Sequence, residues 1–305
     1  MKQQESHDAH AVLYLSALTV ILWSTAFVFT RIAIRSISPF PLGLLRYGAA
    51  ALVLVGIGFA KHIGLPSRRD IPLFLLLGAL GFFFYQLFFN IAMTTISAAT
   101  ASVVVATVPV LTAFFASLLF HERLGKVGWI AVIIEFGGIL VLTLWHREVS
   151  LGWGLFWMLA AAICFAVYNL IQRFSKSRYS SLQATIYSIT ASALMFLIFL
   201  PQAVTEVQGA PLSAVLAVVF MGVFPSAIGF LLWNKALSLA RQIGDVTNFM
   251  FVTPLLSTLL GVLLIQELPD SPTILGGVLI LFGFALFNNR SKLHRPANKK
   301  NPMQS

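Results

Sequence analysis

Amide and aromatic side chains occur inside long apolar stretches of this sequence, where hydrocarbon offers them no hydrogen-bond partner. Because burying a lone polar group in lipid is costly, such side chains should face the interior of a helical bundle. There an amide could hydrogen-bond to a polar solute, and a ring could contact a flat or apolar one. The candidates for contact with a solute are Trp23, Tyr85, Gln86, Asn90, Tyr168, Asn169, Trp233, Asn234 and Asn248.

Gln86 and Asn169 lie deeper in their apolar stretches than the other amides, so we expect this pair to line a pathway through the bundle. An equal alternative is that they form hydrogen bonds between neighbouring helices. Asn90 and Asn234 lie near the ends of their stretches, where solvation at the membrane interface would also account for them.

Glu135 is the one acidic residue near the middle of an apolar stretch, within Ile133–Gly137. Burial favours the neutral form of a carboxyl group, so Glu135 could bind and release a proton as its surroundings alternate between wet and dry. It is our candidate for coupling to a proton gradient. The alternative is a glutamate that stays protonated, or paired, and only bonds to a neighbouring helix.

Arg46 lies a few residues into the second apolar stretch. Its side chain could extend to the outer interface, form a structural ion pair or bind an anion. We expect a structural role, because an arginine close to the membrane surface can stay solvated at little cost.

Two prolines and two glutamates occupy matching positions in the chain. Pro109 and Pro254 lie in the middle of apolar stretches, where proline removes a backbone donor and kinks a helix. They are candidate hinges. Glu122 and Glu267 lie just beyond these stretches, where a carboxylate can accept hydrogen bonds from the first amides of the following helix. We therefore expect them to anchor structure.

The elements that must position these side chains are membrane-spanning helices. The 305 residues are 58% hydrophobic and 10% charged, too few charges for an ordinary water-soluble domain. A spanning helix needs about 20 mostly apolar residues. The sequence predicts an all-α membrane protein with ten transmembrane helices, near Val12–Ile34, Leu42–Ala60, Ile71–Ala92, Ala98–Phe120, Val127–Trp145, Leu151–Gln172, Leu182–Pro201, Leu212–Ala236, Gly244–Ile265 and Ile274–Asn289.

The second half of the chain repeats the first. Asn90 and Asn234 are 144 positions apart, and the two prolines and the two glutamates above are each 145 positions apart. Five spans in each half mean that the second half starts on the opposite side of the membrane, so the repeats are inverted, an arrangement that suits alternating access. We predict a tail over residues 1–11, repeats over residues 12–146 and 147–289, and a basic tail over residues 290–305.

The positive charges lie mostly on one side of these spans. With a cytoplasmic N-terminus, 16 of the 20 Lys and Arg residues fall on the cytoplasmic side and 3 on the opposite side. The positive-inside rule then predicts that both termini are cytoplasmic in a cell (inner) membrane. The net charge of +10 is explained without a nucleic-acid partner.

Four short segments, in this order and with this duplication, resemble the EamA-type branch of the drug/metabolite transporter superfamily: Trp23–Arg31, Leu45–Tyr47, Pro109–Leu124 and Pro254–Glu267. The resemblance extends over roughly residues 11 to 290. It implies a ten-helix carrier with inverted repeats, often an exporter of amino acids, other metabolites or drugs. The expected partners are a small organic solute, membrane lipid and, through Glu135, protons.

Two other classes are weaker alternatives. An intramembrane enzyme acting on a lipid or acyl substrate needs converging catalytic groups or metal ligands, whereas all six histidines fall in tails or loops. A channel fits an inverted repeat with mid-span prolines less well than a carrier does. We therefore expect no enzyme activity, no cofactor and no metal, and the sequence specifies neither the solute nor the oligomeric state.

Overall fold

The structure is a computed structural model that describes residues 2–120, 125–145, 149–172, 178–240, 246 and 248–293. Over these ranges the regular structure is entirely helical. The α-helices are α1 Lys2–Ala33, α2 Pro39–Ala60, α3 Ile71–Gly78, α4 Tyr85–Ala92, α5 Ala98–Val105, α6 Val108–Phe120, α7 Gly125–Trp145, α8 Val149–Ile171, α9 Ser181–Phe196, α10 Leu200–Gly209, α11 Leu212–Met221, α12 Phe230–Leu239, α13 Thr253–Ile265 and α14 Ser271–Leu293.

Eight helical stretches in the described ranges are long and apolar enough to cross a membrane. Two further apolar helices, Phe249–Ile265 and Ser271–Phe287, are shorter over their described residues. Large apolar side chains such as Leu52 (79% exposed) and Phe59 (77% exposed) point away from the bundle. Outward apolar side chains on helices of this length fit a hydrocarbon surrounding, as in an all-helical, multi-pass membrane protein.

Two of the long stretches contain π-helical turns at their centres. The first π segment, Ala79–Phe84, joins α3 to α4, and the second π segment, Gly222–Gly229, joins α11 to α12. Pro225 lies inside the second segment, where its missing N–H interrupts the α-helical ladder. Turns of this kind concentrate at functional sites, because they re-aim side chains within a helix.

Pro109 and Pro254 do not kink continuous helices as the sequence suggested. Residues 106–107 form a turn between α5 and α6, so Pro109 is the second residue of α6. A 3₁₀ turn at Asn248–Val252 precedes α13, and Pro254 is in the first turn of that helix. The physical reason is that the first turn of a helix has no intrahelical use for the missing proline N–H.

The helix α1 contacts α11, α12, α13 and the second π segment. The helix α2 packs against α9 and the second π segment, while α9 also packs against the first π segment. The helices α7 and α14 pack mainly against each other, and α14 also contacts α5.

Glycines allow two very close helix contacts at α2 and α9. A Cβ atom placed on Gly222 would lie 2.7 Å from the backbone oxygen of Arg46, and one on Gly78 would lie 2.7 Å from the backbone oxygen of Ser188. No side chain fits between these backbones, because real Cβ atoms do not approach so closely.

A matching pair of contacts joins α7 to α14. A Cβ atom on Gly138 would lie 2.7 Å from Ile280 Cγ1, and one on Gly283 would lie 2.7 Å from Glu135 Cγ. Each glycine therefore forms the hole into which a side chain of the other helix fits.

Candidate functional site

A small buried cavity lies between helices from both parts of the chain. It has about 30 Å³ of space for the centres of water-sized molecules. This holds about two waters, and it is far below the roughly 300–1,000 Å³ of a typical small-molecule pocket. The lining residues are Trp23, Ala26, Phe27, Arg46, Tyr85, Phe89, Val105, Phe165, Phe230, Met250 and Thr253.

The cavity lies beside the irregular turns of the surrounding helices. Val105 is the last residue of α5 before its break, and Thr253 is the first residue of α13 after the 3₁₀ turn. Tyr85 and Phe230 each follow a π segment directly. Broken helices that meet at a buried cavity are the arrangement by which membrane carriers build solute sites.

Trp23 is held at the centre of this cavity by one hydrogen bond and several rings. Its indole Nε1 donates to the backbone oxygen of Pro225 at 3.1 Å. The ring centroid lies 4.7 Å from that of Trp233 and 5.0 Å from that of Phe230. Gly229 allows the Trp23 ring to pack this closely, because a Cβ atom on residue 229 would lie 2.9 Å from Trp23 Nε1.

Arg46 lies inside the bundle rather than at the outer interface. It is 4% exposed, and its Nε donates to Ser226 Oγ at 2.7 Å. Its guanidinium carbon lies 5.8 Å from the centroid of the Tyr47 ring. No acidic side chain in the described ranges forms an ion pair with it. Extension to the interface and a structural ion pair are thus both wrong within these ranges.

Gln86 and Asn90 bond to each other and to the start of α2. Gln86 Nε2 donates to Asn90 Oδ1 at 2.6 Å, and Asn90 Nδ2 donates to the backbone oxygen of Pro39 at 2.8 Å. Both side chains are fully buried, so interfacial solvation does not explain Asn90. Neither lines the cavity.

Asn234 forms a similar connection in the second half of the chain. Its Oδ1 accepts a hydrogen bond from Gln172 Nε2, and its Nδ2 donates to Thr185 Oγ1 at 2.6 Å. Asn234 is 2% exposed. It thus joins α12 to α9 and to the residue after α8, away from the cavity lining.

Tyr168, Asn169 and Trp233 are buried but also lie outside the cavity lining. The Tyr168 ring packs over Gly81, where a Cβ would lie 2.3 Å from Tyr168 Cδ2. Asn169 is 6% exposed, and neither atom of its amide has a hydrogen-bond partner among the described residues. Of the predicted solute contacts whose side chains are described, Trp23 and Tyr85 line the cavity.

Two predicted positions are described only in part or not at all. The backbone of Asn248 belongs to the 3₁₀ turn that contributes Met250 to the cavity, but its side chain lies outside the described part of the structure. Glu122 lies outside the described residues altogether.

Glu135 is buried between α7 and α14 and does not line the cavity. It is 2% exposed, and neither carboxyl oxygen has a hydrogen-bond partner in the ranges described. Its Cγ packs where a side chain on Gly283 would point.

Glu267 anchors a different helix from the one that the sequence indicated. Its Oε2 accepts from the backbone N–H of Ala98, the first residue of α5, at 3.3 Å, and its Oε1 lies 3.2 Å from Arg31 Nη2. The following helix, α14, is instead capped by Asp270. The reason is that Gln266 adopts a left-handed backbone conformation with φ 55°, and this residue ends α13 immediately before Glu267.

Sequence reasoning missed Ser226, which bonds to Arg46, and Thr253, which lines the cavity. A signal was available for the first, because Pro225 lies in the middle of an apolar stretch, as Pro109 and Pro254 do. No group of three or more His, Cys, Asp or Glu side chains that could hold a metal ion occurs in the part of the chain described.

A second, larger depression lies on the outer face of α2, α3 and α9, with about 530 Å³ of space for water-sized molecules. Its walls are almost wholly apolar and include Phe59, Leu65 and Leu194, which point outward. The smaller cavity is the candidate site, because aromatic and polar groups converge there.

The many long apolar helices define a multi-pass membrane protein. A model of the EamA-like transporter family matches residues 10–144 and again residues 152–289. The chain therefore belongs to the EamA-like transporter family.

Two relatives are similar over nearly the whole chain. The uncharacterized transporter YdfC of Bacillus subtilis (strain 168) is 29% identical over 273 residues, which are 89% of each chain. The probable terminal-alkyne amino-acid exporter of Streptantibioticus cattleyicolor is 28% identical over 277 residues, 90% of this chain and 92% of the relative. A protein of known crystal structure shares the fold, with a TM-score of 0.66, 22% identity, and coverage of 94% of this chain and 99% of that one.

Proposed function

We propose that this protein is a secondary carrier that exports a small organic solute by alternating access. The observation that carries the proposal is the buried cavity at the breaks and π turns of helices from both halves of the chain. A relative named as an amino-acid exporter supports amino acids or related compounds as the solute class.

The proposed architecture is ten transmembrane helices in two inverted repeats, over residues 12–146 and 147–289. Matched contacts support it. Glu135 and Ile280 are 145 positions apart, as are Gly138 and Gly283. In one contact Gly138 of α7 meets Ile280 of α14, and in the other Gly283 of α14 meets Glu135 of α7. Contacts that exchange in this way are the geometry of two elements related by a pseudo-twofold axis.

The site has to widen before it can accept an organic solute. About 30 Å³ is too little for an amino acid, so the structure corresponds to a contracted state of the cavity. The π turns and helix breaks around it are the natural places for the change, because a few element-terminal residues absorb the backbone rotation in hinge motions.

We place the carrier in the cell membrane with both termini in the cytoplasm, from the distribution of Lys and Arg. No catalytic role is assigned, and the solute or ion gradient would supply the energy. Glu135 remains our candidate for proton coupling. Its position between α7 and α14 means that it would act through helix packing rather than by touching the solute.

The test is solute efflux from proteoliposomes loaded with a mixture of the common amino acids, with and without an imposed pH gradient. Efflux of one or more amino acids should exceed that from protein-free liposomes. Trp23→Ala removes the central ring of the cavity and should abolish this difference, whereas Trp153→Ala, at a side chain 57% exposed, should not. Phe89→Leu gives a second cavity variant with a smaller change in volume. Equal efflux from folded Trp23→Ala protein and wild type would contradict the proposal.

A further inference from the structure

Arg46 is a buried cation for which the described residues supply one hydrogen bond. A guanidinium group has five N–H donors, and one of them, on Nε, bonds to Ser226. In the ranges that the structure describes, no carboxylate pairs with the group. Burying a charge is costly unless an opposite charge and hydrogen bonds compensate it. The remaining donors lie on a side chain that lines the cavity.

Thr253 contributes a second donor to the same cavity. It is 4% exposed, and its Oγ1 has no hydrogen-bond partner among the described residues. The rest of the lining is dominated by rings, among them Trp23, Phe27 and Phe165. The cavity therefore combines a cation, the Thr253 hydroxyl and the Tyr85 phenol with an aromatic wall.

Helix packing does not explain why this residue is an arginine. Gly222 packs against the backbone oxygen of Arg46 at the same 2.7 Å at which Gly78 packs against that of Ser188. The two contacts place equivalent demands on the backbone, and a serine meets them in the second case. The backbone contact at Gly222 therefore does not require a guanidinium group, whose Nε bond to Ser226 uses one of its donors.

We propose that Arg46 and Thr253 bind the carboxylate of the transported solute, and that the aromatic wall contacts its apolar body. The solute class is a small organic carboxylate with a flat or apolar side group, which includes aromatic amino acids. Guanidinium and carboxylate groups match in shape and form paired, charge-assisted hydrogen bonds. This inference rests on the proposed carrier function and assigns a chemistry to its site.

The test measures binding of radiolabelled phenylacetate to purified protein in lipid nanodiscs. The competitors are L-phenylalanine, phenylacetamide, 2-phenylethylamine and sodium chloride. The amide and the amine keep the ring but lack a carboxylate, and chloride supplies an inorganic anion alone. The variants are Arg46→Gln, which removes the charge, Arg46→Lys, which keeps a charge without the paired geometry, and Ser188→Ala as the matched control on α9.

Phenylacetate and L-phenylalanine should compete for one site, whereas the amide, the amine and chloride should not. Arg46→Gln should weaken phenylacetate binding at least about thirtyfold, the size of effect expected on losing one partner of a buried charge pair. Arg46→Lys should bind with intermediate affinity, and Ser188→Ala should bind like wild type. Thermal melting of each variant shows whether it is folded, and Arg46→Lys carries the test if Arg46→Gln is not.

Three results would overturn the inference: no phenylacetate binding to wild type, displacement by the amide as effective as by L-phenylalanine, or displacement by chloride alone. Amino-acid efflux from proteoliposomes separates this failure from that of the carrier proposal. A carrier whose efflux is unchanged in Arg46→Gln would keep its proposed function and lose the carboxylate site. A protein without efflux would lose both.

Discussion

The crossing of α2 over the second π segment and the crossing of α9 over the first have the same backbone geometry and different chemistry. In both, a glycine at the start of the π segment (Gly222) or directly before it (Gly78) lies against a backbone oxygen, which would be 2.7 Å from a Cβ atom placed on that glycine. The residue that supplies this oxygen is Arg46 in one crossing and Ser188 in the other. Small residues thus set the approach of the helices, and a single side chain makes the site asymmetric.

The α7 and α14 pair shows the same separation of packing from chemistry. Ile280 packs against Gly138, and Glu135 packs against Gly283 in the equivalent position. In each case a Cβ atom placed on the glycine would lie 2.7 Å from the side chain. One side chain is apolar and the other is a carboxyl group without a hydrogen-bond partner in the described ranges. A packing position therefore tolerates a polar group, and this leaves room for a function at Glu135.

The largest loss of stability should come from adding a side chain at Gly222 or Gly78. Gly222→Val and Gly78→Val each force a side chain against a backbone oxygen that cannot move aside, and overpacking of this kind costs about 1–3 kcal/mol or more. Both should lower the melting temperature in detergent micelles by similar amounts. Gly56→Val is the control, because nothing lies within 4 Å of its would-be Cβ. If the melting temperature fell strongly for one of these two variants and not for the other, the two crossings would not be equivalent.

The next largest loss of stability should come from replacing Asn90 or Asn234. Asn234→Ala leaves Gln172 and Thr185 without that partner, and Asn90→Ala does the same to Gln86 and the Pro39 carbonyl. Each lost buried hydrogen bond costs about 0.5–1.5 kcal/mol, since partners such as the Thr185 hydroxyl, which also donates to the backbone oxygen of Ser181, keep their other bonds. Both variants should melt at lower temperature than wild type, with Asn234→Ala lower because it disconnects side chains of two other elements.

Thr94→Ala serves as the control for the asparagines, since its hydroxyl makes an exposed bond within its own helix end. Melting of Asn234→Ala and Asn90→Ala at the wild-type temperature, with full loss of amino-acid efflux, would contradict this prediction. It would indicate that the amides contact the solute rather than join helices.

A smaller change in stability, and the sharpest test of function, is expected at Glu135. Glu135→Ile copies the counterpart Ile280 and should raise the melting temperature, because it removes a buried carboxyl group that costs about 1–3 kcal/mol. Glu135→Gln keeps the shape but cannot titrate. If Glu135 couples transport to protons, Glu135→Gln should lose efflux driven by a pH gradient and retain exchange of solute. Unchanged pH-driven efflux in folded Glu135→Gln protein would reduce Glu135 to a packing residue.

The smallest effect is expected at the ion pair of Glu267 and Arg31. Both side chains are partly exposed, at 19% and 28%, and pairs of this kind contribute about 0–1 kcal/mol. Glu267→Gln should lower the melting temperature by a degree or so, since the Gln amide oxygen can still accept from Ala98. The difference from wild type should shrink in high salt. A difference that persists in high salt would assign the effect to the Ala98 hydrogen bond instead.

The sequence predicted those features that depend on local composition or on the repeat. Long apolar stretches identify membrane helices, because no other open structure satisfies the backbone in hydrocarbon. The match of Asn90 with Asn234 and of Pro109 with Pro254 identified positions at which the structure has buried amide connections and helix breaks. Trp23 and Tyr85 were selected as amphipathic rings and do line the cavity.

Partner choice was decided by the tertiary structure alone. Arg46 meets Ser226 across 180 positions of sequence, and Glu267 turns back to Ala98 across 169. A periodic pattern shows which residues are apolar but not which faces of which helices meet, because packing is set by side-chain shape over all neighbours at once. Whether the arginine extended to water, paired with an acid or stayed free for a ligand therefore depended on the second π segment, whose position relative to α2 no local pattern encodes.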